Sequence, residues 1–198
     1  MFVLTFIARS KTADFTALAA RLEQLSPAVQ FTQTYPDELQ GAFDNAKDAL
    51  TAALDGARYG SFWVGIGAGE LTVPRFAAAL RAVATSDGEG SALNKSRSAV
   101  EQAQTGAPPR GICLHAHDTA TAHQVTGLLR LLYRVAAGRT EAEWRVLDLL
   151  IPGVRGQQKA VAEALGISSQ AVSKTLVRSL WHEDLASRAV AESLMEKL

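Results

Sequence analysis

Hydrophobic and polar positions along this chain change their period once, near residue 118. Residues Phe2–Ala8 form a β-branched and aromatic run, which predicts a buried first strand. In "TADFTALAARLEQL", Phe15, Leu18, Leu22 and Leu25 recur at helical spacing, and Pro27 predicts the end of that helix. "VQFTQTY" alternates apolar and polar positions, as a half-buried strand does. "PDELQGAF" predicts a turn and a short return strand. "DNAKDALTAALDGA" predicts a helix with Asp44 as N-cap and Gly56 just past its C-terminus. "YGSFWVGIGAGEL" carries the strongest central-strand signal, in Phe62, Trp63, Val64 and Ile66. "RFAAALRAVATS" and "SALNKSRSAVEQAQT" predict helices on either side of "DGEG", and "GICLHAH" predicts a last strand after the breaker "GAPPRG".

Beyond His117 the pattern is helical throughout. "TATAHQVTGLLRLLYRVAAG" places Val125, Leu128, Leu129, Leu132 and Val135 on one stripe. "TEAEWRVLDLLI" opens with Thr140 and Glu143 at the spacing of a capping box. Two short helices then surround a glycine in "GQQKAVAEALGISSQAVSKTLVRSL", and "DLASRAVAESLMEKL" predicts a final helix. The change of period predicts two domains: an α/β domain over residues 1–117 and an all-helical one over 118–198.

The helix pair around Gly166 has the spacing of a helix-turn-helix over residues 157–180. Ala162 lies four positions before Gly166, Leu165 and Ile167 flank it, and Val172 lies six positions after it. A small residue where the helices nearly touch, a glycine for the left-handed turn and apolar residues locking the second helix are what that unit requires. Ser168 is the expected cap of the second helix, and Val172, Leu176 and Leu180 are its expected inward row. Ser169, Gln170, Ser173 and Lys174 are left on the outer face, near the end that would enter a major groove. Gln170 suits adenine, Lys174 suits guanine or phosphate, and Gln157, Gln158, Lys159 and Arg178 suit the backbone on either side. The segment resembles the helix-turn-helix of bacterial regulators of the MarR and LuxR groups and of sigma-factor region 4. A helix follows Leu180 where the winged MarR arrangement has strands.

Charge adds to this picture locally. Over all 198 residues, 20 basic side chains balance 20 acidic ones. Between Arg155 and Leu180, Arg155, Lys159, Lys174 and Arg178 face one acid, Glu163, a local excess of three positive charges. The one cysteine, Cys113, excludes an intrachain disulfide and fits a reduced, cytoplasmic setting. No stretch approaches a membrane span, and the N-terminus reads as a strand rather than a signal peptide.

In the front domain, "TQTYPDELQGAFDNAKDAL" is a strand, a turn with Asp37 and Glu38, a return strand and a helix, followed by "FWVGIGAGEL". This order resembles the nucleotidyl-cyclase fold of GGDEF and class III cyclase domains. More closely it is similar to the SatD family, where "GDEFQG" stands in place of "PDELQG". The resemblance implies an α+β fold: a ferredoxin-like, nucleotidyl-cyclase-like sandwich followed by the helical DNA-binding domain. Cyclase chemistry in that fold needs metals held by carboxylates from two neighbouring strands. Here "FVLTFIARSK" has no acid before Asp14, Arg9 brings positive charge instead, and Pro36 replaces a glycine and offers no N–H. Catalysis is therefore not expected. Asp37 and Glu38 read as a solvated turn, with binding of a small anionic or nucleotide ligand as the alternative.

Weaker signals add little. "GIGAG" lacks the third glycine of a dinucleotide fingerprint, since Glu70 stands there and Pro74 precedes any helix. His115 and His117 have no companions for a tetrahedral metal set, and Cys113 reads as buried and inert. Trp144 and Trp181 read as core of the helical domain. The expectation is a bacterial-type regulator that binds double-stranded DNA as a homodimer, with no cofactor, no metal and no membrane. Its dimer interface would use the helix over 119–137, the last helix, or both. The alternatives are a diverged nucleotide-binding or nucleotide-processing enzyme with accessory helices, and a protein-interaction module.

Overall fold

The computed structural model describes residues 1–11, 13–59, 62–74, 84–105 and 110–198. The strands are β1 (Phe2–Ala8), β2 (Val29–Tyr35), β3 (Glu38–Phe43), β4 (Phe62–Ala68) and β5 (Ile112–His115). In the front part the helices are α1 (Phe15–Glu23), α2 (Ala46–Arg58) and α3 (Ser91–Gln104). After β5 come α4 (Thr119–Gly138), α5 (Glu141–Leu147), α6 (Gln158–Leu165), α7 (Ser169–Arg178) and α8 (Trp181–Met195). The architecture is mixed α+β.

All five strands form one sheet in the order β2-β3-β1-β4-β5. β1 is antiparallel to both β3 and β4, and β5 lies parallel to β4. Successive side chains of β1 point to opposite faces, as a pleated strand requires. Leu4 and Phe6 join a core built with α1, α2 and α4, while Val3 packs with Ala92 of α3 on the other side. That second face also carries a buried polar chain. Thr85 Oγ1 donates to Gln40 Oε1 at 2.6 Å, Gln40 Nε2 donates to Thr5 Oγ1 at 2.8 Å, and Thr5 lies 2.6 Å from Ser96 Oγ.

The glycine run of β4 serves this layer. A Cβ on Gly65 would sit 2.4 Å from the Ser96 carbonyl oxygen, and one on Gly67 would sit 2.0 Å from that of Ala92. The backbone of α3 therefore rests directly on β4, a contact that only glycine permits. The far edge of β5 is closed by α4. Thr126 Oγ1 both accepts from Leu114 N (3.0 Å) and donates to Leu114 O (3.1 Å), and Arg130 Nε donates to Ile112 O at 3.2 Å. These bonds occupy backbone groups that an open edge strand would offer to another chain.

Two hydrophobic clusters hold the helices after His117. Ala122, Val125, Leu129, Leu132 and Tyr133 of α4, with Ala191 and Met195 of α8, belong to the same core as the sheet. Tyr133 Oη donates to the Phe62 carbonyl at 2.6 Å. A second cluster, from Val146 to Leu176, joins α5, α6 and α7. The line expected at residue 118 thus runs through the main core. The second cluster starts one helix later, at α5.

Several local expectations need correction. Asn45, not Asp44, caps α2, its side chain accepting from Asp48 N at 2.8 Å. Gly56 lies inside that helix rather than past it. Its missing Cβ leaves room for Phe6 and Val64, which would be 2.8 and 3.0 Å away. α8 begins at Trp181, three residues before the expected start, because Leu180 takes a left-handed conformation (φ 54°) that separates it from α7. Most of the helix expected over "RFAAALRAVATS" lies outside the described residues, and Thr85–Asp87 is a short 3₁₀ turn.

Candidate nucleic-acid interface

The chain turns between α6 and α7 at Gly166. Gly166 ends α6 in the left-handed region (φ 66°, ψ 31°), and Ile167 N donates back to Ala162 O at 3.0 Å. Ser168 Oγ accepts from Ala171 N at 3.1 Å and caps α7. Val172 and Leu176 are buried against Val161 and Ala162 of α6 and Val146 and Leu147 of α5. The inward row stops there: Leu180 is 43 % exposed, because the left-handed turn swings it out of the helical stripe. Ile167 is also exposed rather than locked inside.

Ser169, Gln170 and Lys174 are exposed on the outer face of α7, and Ser173 is half-buried beside them. Val177 continues this face and is 73 % exposed. It was not among the expected contacts, although its position seven after Gln170 marks the same helical face. Lys159 is exposed at the start of α6, and Gln158 is half-buried.

Gln157 has another job. Its Nε2 donates to the carbonyls of Ile151 (2.7 Å) and Val154 (3.0 Å), and its Oε1 accepts from Ile151 N at 2.9 Å. The side chain therefore holds the loop before α6 and is not free for a phosphate. Arg178 is divided between roles: its Nε donates to Glu143 Oε1 at 2.7 Å, yet most of the side chain stays exposed. Glu143 also accepts from Thr140 N at 2.7 Å in the expected capping box. The Thr140 N–H and the Arg178 guanidinium hold the Glu143 carboxyl below its ordinary value, against its burial.

The acidic pair of the front part separates. Asp37 is exposed in the β2–β3 turn. Glu38 is not solvated: it begins β3, is buried, and accepts from Arg97 Nη2 (2.9 Å) and Thr34 Oγ1 (2.5 Å). Arg9 lies over the Trp63 ring, 4.0 Å from its centroid. On β5, Cys113 Sγ and His115 Nε2 share the Gln102 side-chain oxygen, at 2.8 and 2.7 Å. Burial pushes the Cys113 thiol up and the His115 imidazole down from their ordinary values. Among the described residues, no three His, Cys, Asp or Glu side chains gather as a metal-holding group. Nor is any described helix long and apolar enough to cross a membrane. No protein-family model, no curated protein and no solved structure matches this chain.

Proposed function

We propose that this protein is a DNA-binding regulator whose reading head is α7. The observation that carries the reading is the division of that helix. Val172 and Leu176 lock it onto α6 and α5, while Gln170, Lys174 and Val177 face solvent from its opposite side and Ser169 is exposed at its first turn. Such a face offers hydrogen-bond donors and acceptors for base edges, a charge for phosphate, and a methyl-bearing side chain for thymine. The left-handed Gly166 between the helices supports this reading, because a helix-turn-helix needs such a turn. One such unit contacts few base pairs, so a homodimer reading two half-sites about one helical turn apart completes the proposal.

The front sheet supports a cyclase-like, SatD-like reading without catalysis. The β2-β3-β1-β4 order, antiparallel throughout, with α1 and α2 sharing one core, supports a ferredoxin-like reading, which calls for that order. Glu38, which would be a metal ligand there, is instead neutralised by Arg97. On this reading the domain senses or dimerises. Selecting bound sequences from a random duplex pool with the full chain tests the proposal. An enriched site, lost in the Gln170→Ala variant, is expected. A flat pool would favour binding of another protein.

A further inference from the structure

A cavity of about 570 Å³ opens between α1 and α2 on one side and α5, the segment after it and α8 on the other. Arg21, Arg58, Arg139 and Arg188 line it, with no lysine or glutamate among the described residues. Arg21 Nε pairs with Asp55 at 3.0 Å, and Arg58 forks onto both oxygens of Asp148 at 2.7 and 2.6 Å. Arg139 and Arg188 both reach Asp184, each at 2.9 Å. Four guanidinium groups thus share three carboxylates, which leaves one positive charge in excess. Arg139 is 98 % buried by its side chain (2 % exposed), and its Nη1 has no partner. Arg188 uses Nε alone among the described residues, so its two terminal nitrogens are free. Burial pushes the Asp55 carboxyl up from its ordinary value, against the pull of Arg21.

We propose that this cavity is a binding site for a small organic phosphate, seated on Arg21, Arg58 and Arg188 and competing with Asp148 for Arg58. Tetrahedral phosphate offers several oxygens and two charges to guanidinium groups arriving from different helices, whereas a planar carboxylate satisfies one fork. The volume falls in the range of small-molecule sites and exceeds what a bare phosphate fills. Tyr59 and Trp181 supply apolar wall beside the arginines for the organic part. Asp148 is the group to be displaced because its side chain is 45 % exposed and water can replace Arg58 there, whereas Asp55 and Asp184 are 11 % and 1 % exposed. The proposal does not rest on DNA binding.

Inorganic pyrophosphate is the probe, titrated into the full chain by calorimetry with ionic strength held constant by sodium chloride. Saturable binding is expected. Arg21→Gln and Arg188→Gln should each weaken it about tenfold, the scale of a lost charge-assisted hydrogen bond. Asp148→Asn should tighten it, because the competitor for Arg58 loses its charge. The Lys159→Gln/Lys174→Gln double variant should bind like the parent. Circular dichroism and melting temperature establish that each variant is folded. The proposal is overturned by any of four results: no saturable binding; folded Arg21 and Arg188 variants that bind like the parent; binding lost in the double lysine variant; or citrate binding as tightly as pyrophosphate.

Discussion

A single methyl group decides how closely α3 can lie on the sheet. At Gly67 the added carbon would fall 2.0 Å from a backbone carbonyl, a partner that cannot rotate away. Gly67→Ala is therefore expected to destabilise the protein by about 3 kcal/mol, at the upper end for overpacking, read as a lowered urea midpoint. Gly127, in the exposed middle of α4, has nothing within 4 Å of a built Cβ. There the same change should stabilise, by about 0.5–1 kcal/mol, through helix propensity alone. Glu143 gives a second residue-scale test. Its carboxyl is held below the ordinary value, so its contribution is present above the unfolded-state pKa and lost as pH falls through the folded one. Glu143→Gln should lower stability near neutral pH and flatten its decline between about pH 5 and about pH 3, followed by thermal melts. The capping box was legible from Thr140 and Glu143 because both partners lie within one turn. The Arg178 contact was not, because it joins residues 35 positions apart.

At the scale of elements, α6, its turn and α7 are one mechanical unit with a polar outer face. Gly166→Val should cost about 1–2 kcal/mol or more, since a β-branched residue resists the left-handed conformation that Gly166 adopts. Gln170→Ala should leave stability unchanged and cost about 1–3 kcal/mol of binding at one position of a selected site. Lys174→Ala should weaken binding evenly across sequences and reduce the salt slope by about one unit if it meets phosphate. Duplex titrations at several salt concentrations separate the two effects. Folded Gln170 and Lys174 variants that bind like the parent would remove α7 as the reading head. Gln157 shows why outer-face residues cannot all be assigned from spacing: its position suits a phosphate contact, yet the loop carbonyls of Ile151 and Val154 claim its amide.

In the whole molecule, α4 and α8 bind the sheet to the helical unit, and the buried Arg139–Asp184 pair ties α8 to the α4–α5 junction. A fragment of residues 118–198 would expose Leu129, Leu132, Tyr133 and Met195, all buried in the full chain. It is expected to show less helix than its sequence predicts, and to bind a hydrophobic dye, whereas the full chain should not. A fragment that is fully helical and cooperative would return the boundary to residue 118. The sequence by itself determined the kinds of most described elements, the caps at Thr140 and Ser168, and the α6–turn–α7 pair, because these follow from periods and bonds spanning six residues or fewer. Tertiary structure alone decided which surface each apolar stripe covers. The stripe on α4 reads the same whether it meets other helices or a sheet; the sheet won because β4 and β5 present Phe62, Ile112 and Leu114 to it. The burial of Glu38 under Arg97, the descent of α3 onto Gly65 and Gly67, and the gathering of four arginines around one cavity have the same origin. Each joins residues tens of positions apart, and only the folded backbone brings their side chains within reach.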